Sequence, residues 1–404
     1  MLFNERHFES SVGDSPGTDL TRRPTTDDHG IELPLRHSHN LSSAAAARSE
    51  SIALRPMRLG AQPEGLVERI GLLANLLPTA LGESMFGMPV ARSLQVAQRT
   101  GMFAALAERP HTAEELAQEL ELKPLPTELL LDVLTALGHV KLDDSGRYEL
   151  SSRARRWLEP GSDRYVGDFL ADNYSYWEWW GGLEDLVREG RSVEMHDRPD
   201  DDPYWHSYIR GQYQLARLSS DEVAKAISLR GEPSSVLDVA GGHGEFSMAL
   251  CRRHPGLKAT IVDLPGSARI GREIVAEAQM GDRVSYVEGD MFEADLGGPH
   301  DGALCFNIVH HLSPETSRKL FARIHAALRP GAPLCVLELY DRPAGQQPGS
   351  AAMLGLFFHL TSGADTYSAD EVSGWLADSG YGNVSKRTFR TLPDLALLRA
   401  EAVS

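Results

Sequence analysis

The sequence predicts an α/β fold, a mostly parallel sheet with helices on both faces, preceded by a mainly α region of winged-helix type. Three observations predict it. From residue 232 onward, short apolar runs alternate with helical periods, the pattern of repeated βα units. Three successive runs carry an acid at their carboxyl ends, Asp238, Asp263 and Asp290, about 25 residues apart, the length of one βα unit. A glycine-rich turn, Ala240-Gly241-Gly242-His243-Gly244, leads from the first run into a helix. In open sheets of this kind the carboxyl edge is where ligands bind.

Taken in chain order, residues 1–56 are rich in Ser, Thr, Asp, Arg and His without a sustained period, and are expected to be a disordered extension. Residues 57–165 are expected to form a winged-helix-like unit. Leu66, Ile70, Leu73, Leu76 and Leu77 recur at helical spacing, a second helix is expected over 85–100, and Gly101 closes it. Thr112 with Glu115 reads as a capping box. A helix over 126–138 and a hairpin around Asp144-Ser145-Gly146 complete the unit. Residues 166–231 form an aromatic-dense helical stretch, with Tyr174, Tyr176, Trp177, Trp179, Trp180, Tyr204, Trp205, Tyr208 and Tyr213. Most such rings pack helix faces, and one or two are expected to meet a ligand. The last region, 232–404, carries strands at 235–239, 258–262, 284–288, 302–308, 333–339, 383–389 and 394–399. Helices are expected near 244–253, 266–279, 314–328 and 369–379.

The ligand follows from the turn. A dinucleotide site requires G-x-G-x-x-G, so that a pyrophosphate can rest on the helix N-terminus. The turn at 240–244 is a variant of G-x-G-x-G, which suits S-adenosylmethionine (SAM), a cofactor with no phosphate to cradle.

With Asp263-Leu264-Pro265 and Gly289-Asp290-Met291-Phe292, the chain over 65–395 resembles the class I SAM-dependent methyltransferases. Within them it is similar to the O-methyltransferases that include plant caffeate and bacterial polyketide and phenazine enzymes. The resemblance implies a Rossmann-like methyltransferase domain, with the winged-helix unit making a homodimer. It implies that Asp263 holds the ribose hydroxyls, Asp290 the adenine amino group, and Met291 and Phe292 the adenine faces. The backbone of Ala240, Gly241, Gly242 and Gly244 would meet the methionine end, with Asp238, Leu264 and Asn307 completing the cofactor shell. Ala240 stands where the family has glycine, and is expected to fit with a negative φ.

For the chemistry, the resemblance implies His310 as general base. A neutral imidazole suits the removal of a proton from an attacking hydroxyl. His311 in that role, or a pair that merely caps the strand, are the alternatives. Glu338 would orient the base, as a third group does in other catalytic sets. A second orienting glutamate of the family is missing here, with Asp365 one residue off its place, and Phe306 stands where the family has a basic or polar cofactor contact. His311 and His359 are candidates for substrate contact. No metal is expected, because adjacent histidines seldom converge on one ion.

Bulk properties limit the partners. A net charge of −17 opposes nucleic acid and anionic membranes alike. Residues 111–160 hold ten acidic against six basic residues, unlike a DNA-reading winged helix. No apolar run reaches the length of a membrane span. Met1–His7 lacks the layout of a secretory signal, and Cys251, Cys305 and Cys335 read as buried thiols of a reducing cytoplasm. The expectation is a cytoplasmic homodimer that methylates a hydroxyl of a small aromatic metabolite. Methyl transfer to nitrogen or carbon, or a non-methylating use of SAM on the same fold, remains open.

Overall fold

The computed structural model describes residues 66–74, 76, 78–340, 351–389 and 395–403. The disordered segment expected at 1–56, Leu77, and the expected start of the last strand at 394 lie outside the described residues.

Helices α1 (Leu66–Leu73), α2 (Thr79–Arg99), α3 (Met102–Glu108), α4 (Ala113–Glu119) and α5 (Pro124–Ala136) come first. Strands β1 (Val140–Leu142) and β2 (Tyr148–Leu150) then form an antiparallel hairpin, followed by α6 (Ser152–Leu158). α2 begins at Thr79 rather than near 85, because its first turns leave their apolar side chains exposed and show no buried stripe. The expected capping box is present: the Thr112 hydroxyl accepts from the Glu115 amide, and the Glu115 carboxylate accepts from the Thr112 amide. Phe103, Leu106, Leu116, Leu131, Leu134 and Leu150 fill a core between these helices and the hairpin.

Five helices bridge to the sheet: α7 (Gly167–Asp172), α8 (Tyr176–Gly181), α9 (Leu183–Glu189), α10 (Pro203–Arg217) and α11 (Ser220–Ala226). Asp202 caps α10 and Pro203 occupies its first turn, where a missing N–H costs nothing.

The sheet is then built by β3 (Ser235–Val239), α12 (Glu245–Arg253), β4 (Lys258–Asp263), α13 (Pro265–Glu277), β5 (Val284–Glu288) and β6 (Ala303–Phe306). It continues with α14 (Pro314–Ala326), β7 (Pro333–Leu339), α15 (Ala351–Ser362), α16 (Ala369–Asp378), β8 (Tyr381–Thr388) and β9 (Leu395–Ala402). The seven strands lie in the order β5-β4-β3-β6-β7-β9-β8. β9 runs against its neighbours, and the other pairings are parallel.

Alternation of side chains across the pleat explains the two faces. Val236, Ala259, Ile261, Leu304 and Leu337 pack on one side with α10, α11, α12 and α13. Leu237, Val239, Val262, Cys305 and Val336 pack on the other, with residues of α14 and α16. All three cysteines are buried and free. The chain builds outward from β3 to β5, then crosses back to place β6 on the other side of β3. That reversal opens a crevice at the carboxyl ends of β3 and β6. Among the described residues, no helix is long and apolar enough to cross a membrane.

Candidate active site

A cavity of about 300 Å³ occupies this crevice. Its floor is the turn after β3. Asp238, almost wholly buried, accepts from the Ser247 hydroxyl at 2.7 Å, and burial pushes its carboxyl up to about 7. The turn wraps so closely around this carboxylate that a Cβ on Gly241 would come within 2.6 Å of it. Gly242 has φ +49 and donates its amide to an Asp263 carboxylate oxygen at 2.7 Å. Its carbonyl accepts from the Tyr286 hydroxyl at 2.9 Å. Gly271 of α13 approaches the same carbonyl so tightly that a Cβ there would stand 2.3 Å away. The glycines are therefore required by close backbone approach as well as by dihedral freedom.

Ala240 does not keep the expected negative φ. It sits at φ +56, in the left-handed region, where an L-residue pays roughly 1–2 kcal/mol. Its amide is held by the Val262 carbonyl at 2.8 Å, so the sheet register imposes the conformation on the alanine.

The second and third acids stand on the neighbouring strands. Asp263, at the end of β4, accepts from the amides of Gly242 and Leu264, both at 2.7 Å. Burial raises its carboxyl, and those two bonds oppose the rise. Asp290, two residues beyond β5, is exposed and accepts from the Phe292 amide at 2.8 Å. Met291 and Phe292 provide half-buried apolar surface beside it.

Strand β6 is shorter than expected, because Asn307 takes φ +53 and turns the chain into a short 3₁₀ segment, Val309–His311. Glu338, at the end of β7, anchors that segment. One carboxylate oxygen accepts from the amides of Ile308 and Val309 at 2.8 and 2.7 Å; the other meets His310 Nδ1 at 2.7 Å. The His310 ring stacks on Phe358 of α15, with centroids 3.8 Å apart. Both His310 and Glu338 are buried. A carboxylate accepts, so Nδ1 of His310 is the donor in this contact, and in the neutral ring Nε2 is the free acceptor.

Helix α10 and the loop before it close the cavity from the other side. Trp205, Tyr208, Ile209 and Gln212 line it, and so does His196. His196 Nδ1 bonds the Tyr204 hydroxyl at 3.1 Å, and burial lowers its pKa to about 4. His243, inside the glycine turn, accepts the Glu245 amide at Nδ1, and burial brings it also to about 4. Burial holds His311 well below its ordinary value as well. All three imidazoles are neutral at working pH.

Of the expected cofactor residues, all but Gly244 line this cavity. Gly244 instead sets the start of α12, at φ +73. His311 lines the cavity, while His310, Glu338 and His359 do not. His359 turns away, its Nδ1 2.6 Å from the Ala364 carbonyl. Asp365 is exposed and accepts from the Thr366 amide, so it does not take the place of the missing glutamate beside His310. Phe306 lines the cavity and packs edge-on against Phe246, 5.1 Å between centroids. Among the described residues, no three metal-ligating side chains converge. Sequence reasoning missed His196, Ile209 and Gln212. His243 was visible in the turn, but its side chain carried no signal of its own. Trp205 and Tyr208 are the two of the aromatic set that reach the cavity.

No Lys or Arg lines the cavity, whereas three carboxylates do. This composition favours a cationic ligand over an anionic one. Residues 180–382 match the O-methyltransferase domain family, and 83–160 match the O-methyltransferase dimerisation domain. The chain is 30% identical to the 3-hydroxy-5-methyl-1-naphthoate 3-O-methyltransferase of Streptomyces sahachiroi over 78% of this chain and 91% of that one. It is 28% identical to the N,N-dimethyltransferase OxyT of Streptomyces rimosus over 67% and 81%. Human N-acetylserotonin methyltransferase in complex with SAM shares the fold, with a TM-score of 0.73 at 19% identity, over 85% of this chain and 100% of that one. The carboxylate-lined crevice and these matches together place the chain in the family of SAM-dependent O-methyltransferases.

Proposed function

We propose that this protein transfers a methyl group from SAM to a hydroxyl of a small aromatic metabolite, with His310 as general base. The observation that carries the reading is the short contact between His310 Nδ1 and Glu338, which leaves Nε2 as an acceptor. Bound SAM supplies an electrophilic methyl carbon on its sulfonium sulfur. Asp263 would hold the ribose, Asp290 the adenine amino group, Met291 and Phe292 the adenine faces, and the 240–244 turn the methionine end. Asp238 and Asp263 stand where a bound cation would offset the effect of burial and draw both carboxyls towards their ionised forms.

His310 Nε2 takes the hydroxyl proton as the oxygen attacks, and Glu338 stabilises the imidazolium that results. Phe358 fixes the plane of the ring. Trp205 and Tyr208 would exclude water and present a flat wall to a planar acceptor. An amine acceptor is the second reading, favoured by the N,N-dimethyltransferase among the relatives. The enzyme would act as a cytoplasmic homodimer without nucleic acid. Exposed apolar residues on α2 and α5, including Leu81, Phe86, Leu125 and Leu129, provide the surface such a dimer buries.

Calorimetric titration with SAM and S-adenosylhomocysteine, followed by a product screen on naphthols and naphthylamines, tests the reading. Binding of both cofactor forms with methyl ether formation from a naphthol is the expected result. Methylation of amines alone would move the acceptor to nitrogen, and no cofactor binding would remove the assignment.

A further inference from the structure

The loop joining α9 to α10 carries an imidazole that the reaction above does not use. Its backbone is tied to the far end of α15: the Val193 amide donates to Leu360 at 2.6 Å and the Met195 amide to Thr361 at 3.1 Å. His196, the next residue, is thereby held in the wall of the cavity. Its ring lies parallel to Trp205, with centroids 5.9 Å apart, and edge-on to His311 at 5.2 Å. Tyr204 occupies Nδ1, and the guanidinium of Arg198 lies 5.0 Å over the Tyr204 ring. Among the described residues, Nε2 of His196 has no hydrogen-bond partner.

His311 is matched to it. Its Nδ1 is buried without a partner. A buried N–H without an acceptor costs more than a bare ring nitrogen, so the proton belongs on Nε2. The His310 ring lies 4.3 Å from that of His311. Three imidazoles thus stand side by side, and a charge on His310 further disfavours charge on the other two. The 4.3 Å between the His310 and His311 rings sets this pair beside the proposed base.

Building on the proposed hydroxyl-methylating reading, we infer that His196 and His311 form a subsite for a second oxygen substituent, ortho or peri to the hydroxyl that is methylated. His311 Nε2–H donates to that oxygen, and His196 Nε2 makes the second bond. The acceptor is therefore an aromatic diol or hydroxycarbonyl compound rather than a simple phenol. His196 is a specificity-determining residue, separate from the proton transfer at His310.

The test is equilibrium binding of 2,3-dihydroxynaphthalene and of 2-naphthol to the full chain saturated with S-adenosylhomocysteine. The variants are H196F, H196Q and H196N, each checked by thermal melting and by its affinity for S-adenosylhomocysteine. Gln places an amide near the position of Nε2, whereas Asn places one near Nδ1. The wild type is expected to favour the diol by about tenfold or more, since a site built to bond an oxygen rejects the analogue lacking it. That preference should persist in H196Q and fall towards unity in H196F and H196N. Restoration by H196N instead of H196Q would mean that His196 acts only through Tyr204, and would overturn the subsite. An unchanged preference in all three variants would overturn it as well. Equal binding of both naphthalenes by the wild type would remove the subsite alone. Binding of neither, with S-adenosylhomocysteine still bound, would remove the aromatic-acceptor reading and the subsite with it.

Discussion

The two sides of the cavity are built by different means. On the cofactor side, backbone meets backbone: the Gly242 amide on Asp263, the Gly242 carbonyl under Tyr286 and Gly271, and the turn pressed onto Asp238. On the proposed substrate side, ring packs on ring behind the cavity wall: Tyr176, Trp179 and Phe357 at 4.7 to 6.1 Å, and His310 on Phe358 at 3.8 Å. That side also retains a buried carboxyl, Asp172, with the Tyr176 hydroxyl as its polar neighbour. A ligand of fixed shape is gripped by main chain, which admits little change. A ligand that varies is met by side chains, which can be exchanged without moving the frame.

The largest effect is expected at the proposed base, which lies behind the cavity wall beside His311. His310→Ala should lower turnover by about 10²–10⁴ with little change in SAM affinity. A variant that turns over like wild type would take the proton transfer away from His310. On the cofactor side, Asp263→Ala removes the acceptor of two amides and should weaken SAM by about 10–100-fold in calorimetry. Unchanged affinity would mean that the main chain holds the turn without its carboxylate.

On the substrate side, Asp172→Asn should stabilise the protein. Burial raises the carboxyl from 3.8 to about 7, although the Tyr176 hydroxyl pulls the other way. Because the folded state holds the proton more tightly than the unfolded one, stability falls as pH rises from about 4 to about 7, and the penalty is complete above that. The melting temperature of the variant should therefore gain a few degrees at pH 8 and almost nothing at pH 4. Equal gains at both would detach the effect from ionisation. The smallest effect is Ala240→Gly, which relieves the left-handed strain but adds chain entropy. A gain of about 1 kcal/mol or less is expected from denaturant unfolding. A loss would show that the alanine methyl is itself a contact.

The cofactor half of the fold was largely legible in the sequence. β3, β5 and β7 fall at the residues expected, because each is a short apolar run with a turn or an acid at its end. The runs that misled are informative. The stretch 302–308 looks like one strand, yet Asn307 breaks it by entering the left-handed region, a choice that depends on Glu338 accepting the next two amides. Ala240 was misjudged for a similar reason: a hydrogen bond from a neighbouring strand sets its φ. His196 carried no period and no motif. It reaches the site only because α15, some 160 residues later, takes up the amides around it.

That stitching has a practical consequence for building chimaeras. The wall proposed to face the acceptor is braced by two distant stretches, roughly 165–217 and 351–367. Tyr176 and Trp179 lie on Phe357, Val193 and Met195 are bonded to Leu360 and Thr361, and Phe358 lies on His310. A recombinant that takes only one of these stretches from a relative would inherit half of each contact. Exchange of acceptor preference between relatives calls for both stretches to be transplanted together.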